Sequence, residues 1–339
     1  MQALPPALFI VMLELTVGSF ISLYFLDLRG DSSRGFVKFQ GILYLVFGVL
    51  TLLAMNNFAT PEIVRGDGLD EAWLGWQGPL VLVFTLLMIP WNVLLFTDKQ
   101  QELKKTAIAK GQRLPVTPRA RVRFAVGAVT SLVGLAALFA VGMAYRTLAS
   151  AHLGGAFVVL AFLAGGIALG GVMTAMLLGH WYLNTPTASG KPLEFVTALL
   201  LGAVLVELAC TLLMGASTAR PNPYAQTVTP GTTIQVQNGK YVVVTPTPLP
   251  TTTATQGQPG QRGQPALQDV RQTPIGTDVM HWMLILMGLL APAVLGGVAL
   301  YLARGRSFQS ATGMLYLAVA FIFIGEALGR YLLLSPVFS

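Results

Sequence analysis

Eight stretches of this 339-residue chain are long and apolar enough to cross a lipid bilayer as helices. A transmembrane helix needs about 20 consecutive, mostly apolar residues. Only 10% of the residues are charged, against roughly 25% in a soluble domain. The pattern predicts an all-α, polytopic membrane bundle of eight transmembrane helices. The predicted spans run from Leu4 to Leu26, Phe36 to Phe58, Trp73 to Phe96, Val122 to Tyr145, Leu153 to Leu178, Leu193 to Met214, Val279 to Ala303 and Gln309 to Leu333.

The basic residues of the short connections predict the orientation of this bundle. Fourteen Lys and Arg lie in or beside connections 1–2, 3–4, 5–6 and 7–8, eight of them between Lys99 and Arg123, whereas the opposite short connections hold only Arg65 and Arg146. Cytoplasmic connections carry the excess of Lys and Arg, so both termini are expected to be extracytoplasmic. We expect a multi-pass protein of the plasma (inner) membrane that contacts lipid. The net charge of +7 is a topology signal and predicts no nucleic-acid partner.

Composition divides the chain into three parts. Residues 1–217 hold helices 1–6, and residues 279–339 hold helices 7 and 8. Residues 218–278 form a long extracytoplasmic connection rich in Thr and Pro, whose composition cannot bury a core. Within it, two β-prone runs flank Asn238-Gly239, a pair that favours a tight turn, so a β-hairpin is predicted near residues 232–245. This hairpin either docks on the bundle or a partner or serves as a spacer.

Two spans carry residues that modify helix packing. Gly166, Gly170 and Thr174 form one stripe of the fifth span, and small residues let a neighbouring helix approach closely. Pro292 lies near the middle of the seventh span, flanked by Gly288, Gly296 and Gly297, so a kink of the helix is expected there.

Three carboxylates lie within otherwise apolar spans, namely Glu14, Glu207 and Glu326. An ionisable side chain at this depth costs roughly 2.5 kcal/mol or more, so it is by default a candidate for a functional site. Each could exchange protons or bind a quinone, or could be a neutral carboxyl that only holds helices together. Arg330 follows Glu326 by one helical turn, a spacing that allows an ion pair. That pair could line a site or be an ordinary pair near the membrane interface.

Three further residues are candidates for contact with a quinone or with protons: His180, Trp91 and Asn92. His180 is followed by Trp181 and Tyr182 at the end of the fifth span, and aromatic residues at that level often anchor a helix at the interface. Trp91 and Asn92 follow Pro90 in the third span and could line a cavity or simply pack.

Few residues are suited to metal or catalytic chemistry. The chain has one cysteine, Cys210, and three histidines, so we expect no metal site, no haem and no iron–sulfur cluster in this chain. A haem between His152 and His281 is conceivable, but both lie at helix starts. The sequence has no phosphate-binding loop and no set of catalytic residues typical of a hydrolase, so an enzymatic role would be at most that of a non-catalytic anchor subunit.

The eight spans and the segment Gly325-Glu326-Ala327-Leu328-Gly329-Arg330 resemble the membrane-anchor subunits of dimethyl sulfoxide reductase and the related polysulfide and nitrite reductase anchors. The resemblance implies a helical bundle that binds menaquinol and docks an iron–sulfur subunit at the membrane surface. The family tends to carry a histidine near the end of helix 2. The corresponding segment here, Ala54 to Pro61, has none, which departs from the quinol site of the family.

The sequence therefore leads to three functional hypotheses. The first is an integral membrane subunit of a respiratory or other electron-transfer complex, which binds menaquinone or ubiquinone, relays protons through the intramembrane carboxylates, or does both. Its electrons would come from iron–sulfur or cytochrome partner subunits. The second is a proton-coupled secondary transporter. The third is a structural subunit that recruits a partner through its extracytoplasmic connection.

Overall fold

The computed structural model describes residues 4–30, 32–58, 69–98, 117–148, 154–185, 189–215, 233–237, 240–244 and 275–334. The predicted loop from Lys99 to Arg123 lies mostly outside these residues, as do His152, residues 59–61 of the helix 2 motif and most of residues 218–278.

Within the described residues, eight helices are long and apolar enough to cross a membrane, which confirms the predicted all-helical bundle. Their apolar runs leave no other stable arrangement in lipid, because a helix satisfies its own backbone hydrogen bonds. They are α1 Leu4–Arg29, α2 Arg34–Phe58, α3 Glu71–Thr97, α4 Pro118–Tyr145, α5 Gly154–Asn184, α6 Lys191–Gly215, α7 in three segments (Ile275–Met283, Leu284–Leu290 and Ala291–Arg304) and α8 Phe308–Leu334.

The two ends of the bundle differ in charge. We call the end that holds Leu4 and Leu334 the terminus side, and the end that holds Arg29, Arg34, Lys191 and Arg304 the basic side. Successive helices alternate in direction between the two.

Helix α1 is the central helix of the bundle, with 83% of its most apolar window buried. It packs against α2, α4, α5 and α8. The contact with α5 is a backbone contact, because a Cβ on Gly170 would lie 1.8 Å from the carbonyl carbon of Gly18. Only glycine fits at such a crossing. The structure thus confirms the predicted close approach along the small-residue stripe of α5.

The middle segment of α7, Leu284–Leu290, is a π-helix. Its wider winding is seen where the Ala291 amide donates to the carbonyl of Leu286, five residues earlier. Pro292 follows directly and lacks the amide hydrogen that a regular helix would direct to residue 288, so the regular hydrogen-bond pattern is interrupted here. Gly288 of this segment lies against Gly325 of α8.

Between α6 and α7 the structure describes two strands, β1 Thr233–Gln237 and β2 Lys240–Val244. They pair antiparallel, with Gln237 opposite Lys240 and Thr233 opposite Val244.

Candidate functional site

Four of the residues singled out in the sequence come together around one guanidinium group. Arg330 of α8 contacts Glu14 of α1, Glu207 of α6 and Glu326 of α8. The four side chains, which we call the Arg330 cluster, are at most 8% exposed. Three helices that are distant in sequence thus contribute to one buried polar site.

The closest contacts of Arg330 are with Glu14 and Glu326. Arg330 Nη2 lies 2.6 Å from Glu14 Oε1 and 2.8 Å from Glu326 Oε2, and Arg330 Nε donates to Glu14 Oε1 at 2.9 Å. Glu207 Oε1 is more distant, at 3.4 Å from Nη2. The spacing of Glu326 and Arg330 predicted their own contact, whereas the shorter bridge to Glu14 joins the first and last helices of the bundle.

Helix α5 completes the surroundings of the guanidinium. Arg330 Nη2 donates to the carbonyl of Ala161 at 3.3 Å, and Arg330 Cζ lies 4.3 Å from the centre of the Phe162 ring. Gly165, one turn further along α5, makes room for the cluster. A Cβ there would lie 2.5 Å from Arg330 Nη2 and 2.6 Å from Glu326 Oε1. Gly165 carries no specific signal in the sequence, because it is one of several glycines in this span.

The charges of the Arg330 cluster do not balance. Three carboxylates surround one guanidinium, so full ionisation would leave an excess of two negative charges away from water. Glu14 Oε2 and Glu326 Oε1 also have no hydrogen-bond partner among the described residues. The arrangement therefore holds three carboxyl groups around one positive charge away from water.

A second buried charge cluster lies at the basic side and was missed in the sequence. Arg123 of α4 contacts Asp27 of α1 at 3.0 Å and Asp98, just after α3, at 2.5 Å. Arg34 of α2 donates to the backbone carbonyls of Leu95 and of Asp98, the latter at 2.5 Å. From the sequence, the two arginines predict only the topology. The sequence signal for this cluster is an aspartate near the end of α1, Asp27, and another directly after α3, Asp98, both close to many basic residues.

Trp91 and Asn92 lie on α3, and no described contact joins either residue to the Arg330 cluster. The Trp91 ring is fully buried and packs edge-on against Phe20, with ring centres 5.0 Å apart. Asn92 Nδ2 donates to the Met88 carbonyl at 2.9 Å. Trp91 Nε1 and Asn92 Oδ1 have no partner among the described residues.

His180 is exposed at the basic-side end of α5. Its Nδ1 lies 3.2 Å from the hydroxyl of Tyr316 on α8, and the neighbouring Trp181 packs against Phe36. These aromatic contacts are typical of helix ends at a membrane interface. The structure thus places His180 outside the Arg330 cluster.

An apolar groove of about 390 Å³ lies between α5 and α6. It is lined by Leu160 and Ile167 of α5 and by Gly202 and Val206 of α6, among others. Val206 is the residue before Glu207 in the chain, but none of the four residues of the Arg330 cluster lines the groove.

No family model, no curated protein and no solved structure matches this sequence. Among the residues that the structure describes, no group of three or more His, Cys, Asp or Glu side chains is arranged to hold a metal ion.

Proposed function

We propose that this protein is an integral membrane subunit of an electron-transfer complex, in which the Arg330 cluster exchanges protons with a quinone. The observation that carries the proposal is the set of three buried carboxylates around Arg330. Reduction of a quinone consumes protons as well as electrons, so a quinone site needs nearby groups that donate them. The carboxyls of the cluster could supply protons, and partner subunits would supply the electrons.

The groove between α5 and α6 gives the proposal a place for the ligand. Its apolar lining suits the isoprenoid tail of menaquinone or ubiquinone, and its lining residue Val206 precedes Glu207, whose side chain belongs to the cluster. Ligand sites of this kind combine an apolar cavity with a few polar groups that fix orientation. We further propose that the basic side faces the cytoplasm, from the distribution of Lys and Arg, and that the membrane is the plasma (inner) membrane.

A binding experiment with matched variants tests this function. The full chain is reconstituted in nanodiscs, and binding of menaquinone and ubiquinone analogues is measured together with the variants Glu207→Gln and Glu71→Gln. Glu71 is exposed at the start of α3, so its variant controls for loss of a negative charge. We expect Glu207→Gln alone to weaken binding. Equal affinity in all three proteins, or no binding to the parent, would contradict a quinone site at the cluster.

A proton-coupled secondary transporter is the second candidate, and the π-helical segment of α7 favours it. Gly288 of this segment packs against Gly325, the residue before Glu326. Discontinuous helices form the substrate and ion sites of many transporters. Purification in mild detergent separates the candidates, because a redox subunit should copurify with cytochrome or iron–sulfur chains and a transporter should not. A purely structural subunit would show neither quinone binding nor proton-coupled uptake.

A further inference from the structure

A cavity of about 320 Å³ lies at the basic side of the bundle, between the end of α5 and the turn that joins α7 to α8. Its polar lining comes from Arg306, Ser307, Gln309 and Ser310, and its apolar lining includes Leu183 of α5. None of the described residues that line it is acidic. Its volume lies at the lower end of the range of about 300–1,000 Å³ that is typical of sites for small ligands.

Arg306 occupies a backbone position that normally selects glycine. Among the described residues, it is the one residue other than glycine with a positive φ angle, at 60°. The Ser307 amide donates to the Leu302 carbonyl at 2.9 Å, and the Arg306 amide donates to the Ala303 carbonyl at 3.0 Å. These two bonds form the usual glycine-terminated end of a helix, in which a side chain at the left-handed residue is disfavoured. The turn itself therefore gives no reason for an arginine at this position.

The guanidinium of Arg306 is exposed and has no ion-pair partner among the described residues. It differs in this from the arginines at the centres of the two charge clusters. The hydroxyls of Ser307 and Ser310 and the amide of Gln309 are further donors at the cavity. A guanidinium presents several N–H groups in a planar fork that matches the oxygens of a phosphate group. The cavity thus combines one free positive charge with hydroxyl and amide donors, which suits a phosphate group.

The surface of α8 continues from this cavity as an exposed apolar stripe. Gly313, Tyr316 and Leu317 follow Gln309 and Ser310 by one or two helical turns on the same face. Tyr316 is 48% exposed and Leu317 is 52% exposed. In a helix that crosses a bilayer, an exposed apolar face contacts the acyl chains of lipids. A phosphate group in the cavity would therefore lie directly above a surface for acyl chains, as the two parts of a phospholipid require.

We propose that this cavity binds the headgroup phosphate of an anionic phospholipid, whose acyl chains lie along the exposed stripe of α8. Arg306 supplies the positive charge, and the hydroxyls of Ser307 and Ser310 donate hydrogen bonds. Basic sites between transmembrane helices recognise anionic headgroups, and anionic lipids give the cytoplasmic leaflet its negative surface. The cavity and Arg330 lie near opposite ends of α8. The lipid site therefore does not depend on the proposed exchange of protons.

Native mass spectrometry of the full chain in detergent measures the lipid preference. The protein is titrated with equal amounts of phosphatidylglycerol and phosphatidylcholine that carry the same acyl chains. We expect the parent to retain phosphatidylglycerol preferentially and Arg306→Gln to lower that affinity at least about fivefold, the contribution of one basic residue near an anionic surface. Arg304→Gln is the matched control, because Arg304 is exposed at the end of α7 and does not line the cavity. Equal binding of the two lipids by the parent, or equal affinities in the two variants, would overturn the site.

The variant Arg306→Gly separates lipid binding from folding. Glycine adopts the left-handed backbone without strain, so this variant should keep or raise the parental melting temperature in phosphatidylcholine nanodiscs. It should nevertheless lose the preference for phosphatidylglycerol. A lower melting temperature with an unchanged preference would assign Arg306 to the turn alone and contradict the proposal. Loss of the preference only together with a lower melting temperature would contradict it as well.

Two further probes distinguish a lipid from a free phosphate. Inorganic phosphate lacks acyl chains, so it should displace phosphatidylglycerol only at concentrations far above that of the lipid. A phosphatidylglycerol with a diazirine in its acyl chain should cross-link to the peptide of α8 that contains Tyr316 and Leu317, and Arg306→Gln should reduce this cross-link while Arg304→Gln does not. Displacement by inorganic phosphate at the concentration of the lipid, or cross-links that avoid α8, would overturn the phospholipid as the occupant.

Discussion

Replacement of Arg330 by methionine would leave three buried carboxyls without the positive charge that joins them. Methionine keeps much of the length of the side chain and removes the contacts to Glu14, Glu326 and Glu207, at 2.6, 2.8 and 3.4 Å. Removing one partner of a buried ion pair costs about 3–5 kcal/mol, because the remaining charge is left uncompensated. We therefore expect Arg330→Met to lower the free energy of unfolding by about 3–5 kcal/mol.

Arg146 provides a control for loss of an arginine. It contacts Asp70 at 3.1 Å, but the two side chains are 43% and 22% exposed. Such a pair contributes about 0–1 kcal/mol, so Arg146→Met should resemble the parent. Unfolding of both variants in mixed micelles, with increasing SDS and circular dichroism as the signal, gives the comparison. If both variants lose the same stability, Arg330 is not the electrostatic centre of the bundle.

Single carboxyl variants refine this prediction. Glu14→Gln and Glu326→Gln keep the side-chain shape and leave Arg330 with two other carboxyls, so each should cost less than Arg330→Met. A double-mutant cycle between Glu14→Gln and Arg330→Met should show coupling of about 0.5–3 kcal/mol, as expected for residues in contact. Strictly additive losses would mean that the bridge of α1 to α8 contributes nothing to stability. Glu326→Gln should also reduce quinone-linked activity while the protein stays folded.

Three further outcomes are expected. Gly165→Leu should destabilise the bundle by more than 1 kcal/mol, since overpacking costs about 1–3 kcal/mol and its Cβ alone would lie 2.5 Å from Arg330 Nη2; a parental melting temperature would contradict this. In a variant without Cys210, a cysteine at Lys110 should be shielded from an impermeant thiol reagent in intact cells and one at Thr252 should react, and the reverse pattern would invert the topology. Deletion of residues 247–265 should leave detergent-stable expression intact, because their composition supplies little core; loss of expression would show that they fold against something.

The membrane bundle could be predicted from the sequence because its signal is local. Each span is a continuous run of apolar residues, and the bilayer accepts such a run only as a helix. The close contact at Gly170 could also be predicted, because small residues on one stripe of a membrane helix let a neighbouring helix approach closely. The π-helical winding before Pro292 was less accessible, because the proline and its neighbouring glycines predict a kink of the helix and say nothing of its winding.

The composition of the site was harder to predict, because it depends on which helices are neighbours. The spacing of Glu326 and Arg330 showed one contact, whereas the bridge to Glu14 joins residues separated by 316 positions. A single sequence does not show which residues so far apart in the chain come into contact. Similarly, Asp27 and Arg123 were each consistent with a helix end facing water, and only the packing of α1 against α4 buries them together.

The two buried clusters differ in a way that bears on function. At the basic side, two aspartates accompany two arginines, Arg123 and Arg34, so the charges balance and the contacts can persist as a fixed network. Around Arg330, a single carboxylate would balance the guanidinium, yet the bundle supplies three from three different helices. Additional buried carboxyls add desolvation cost without adding a partner charge. A purely structural role therefore accounts for the balanced cluster, whereas the excess of carboxyls at Arg330 is the observation on which the proposed exchange of protons rests.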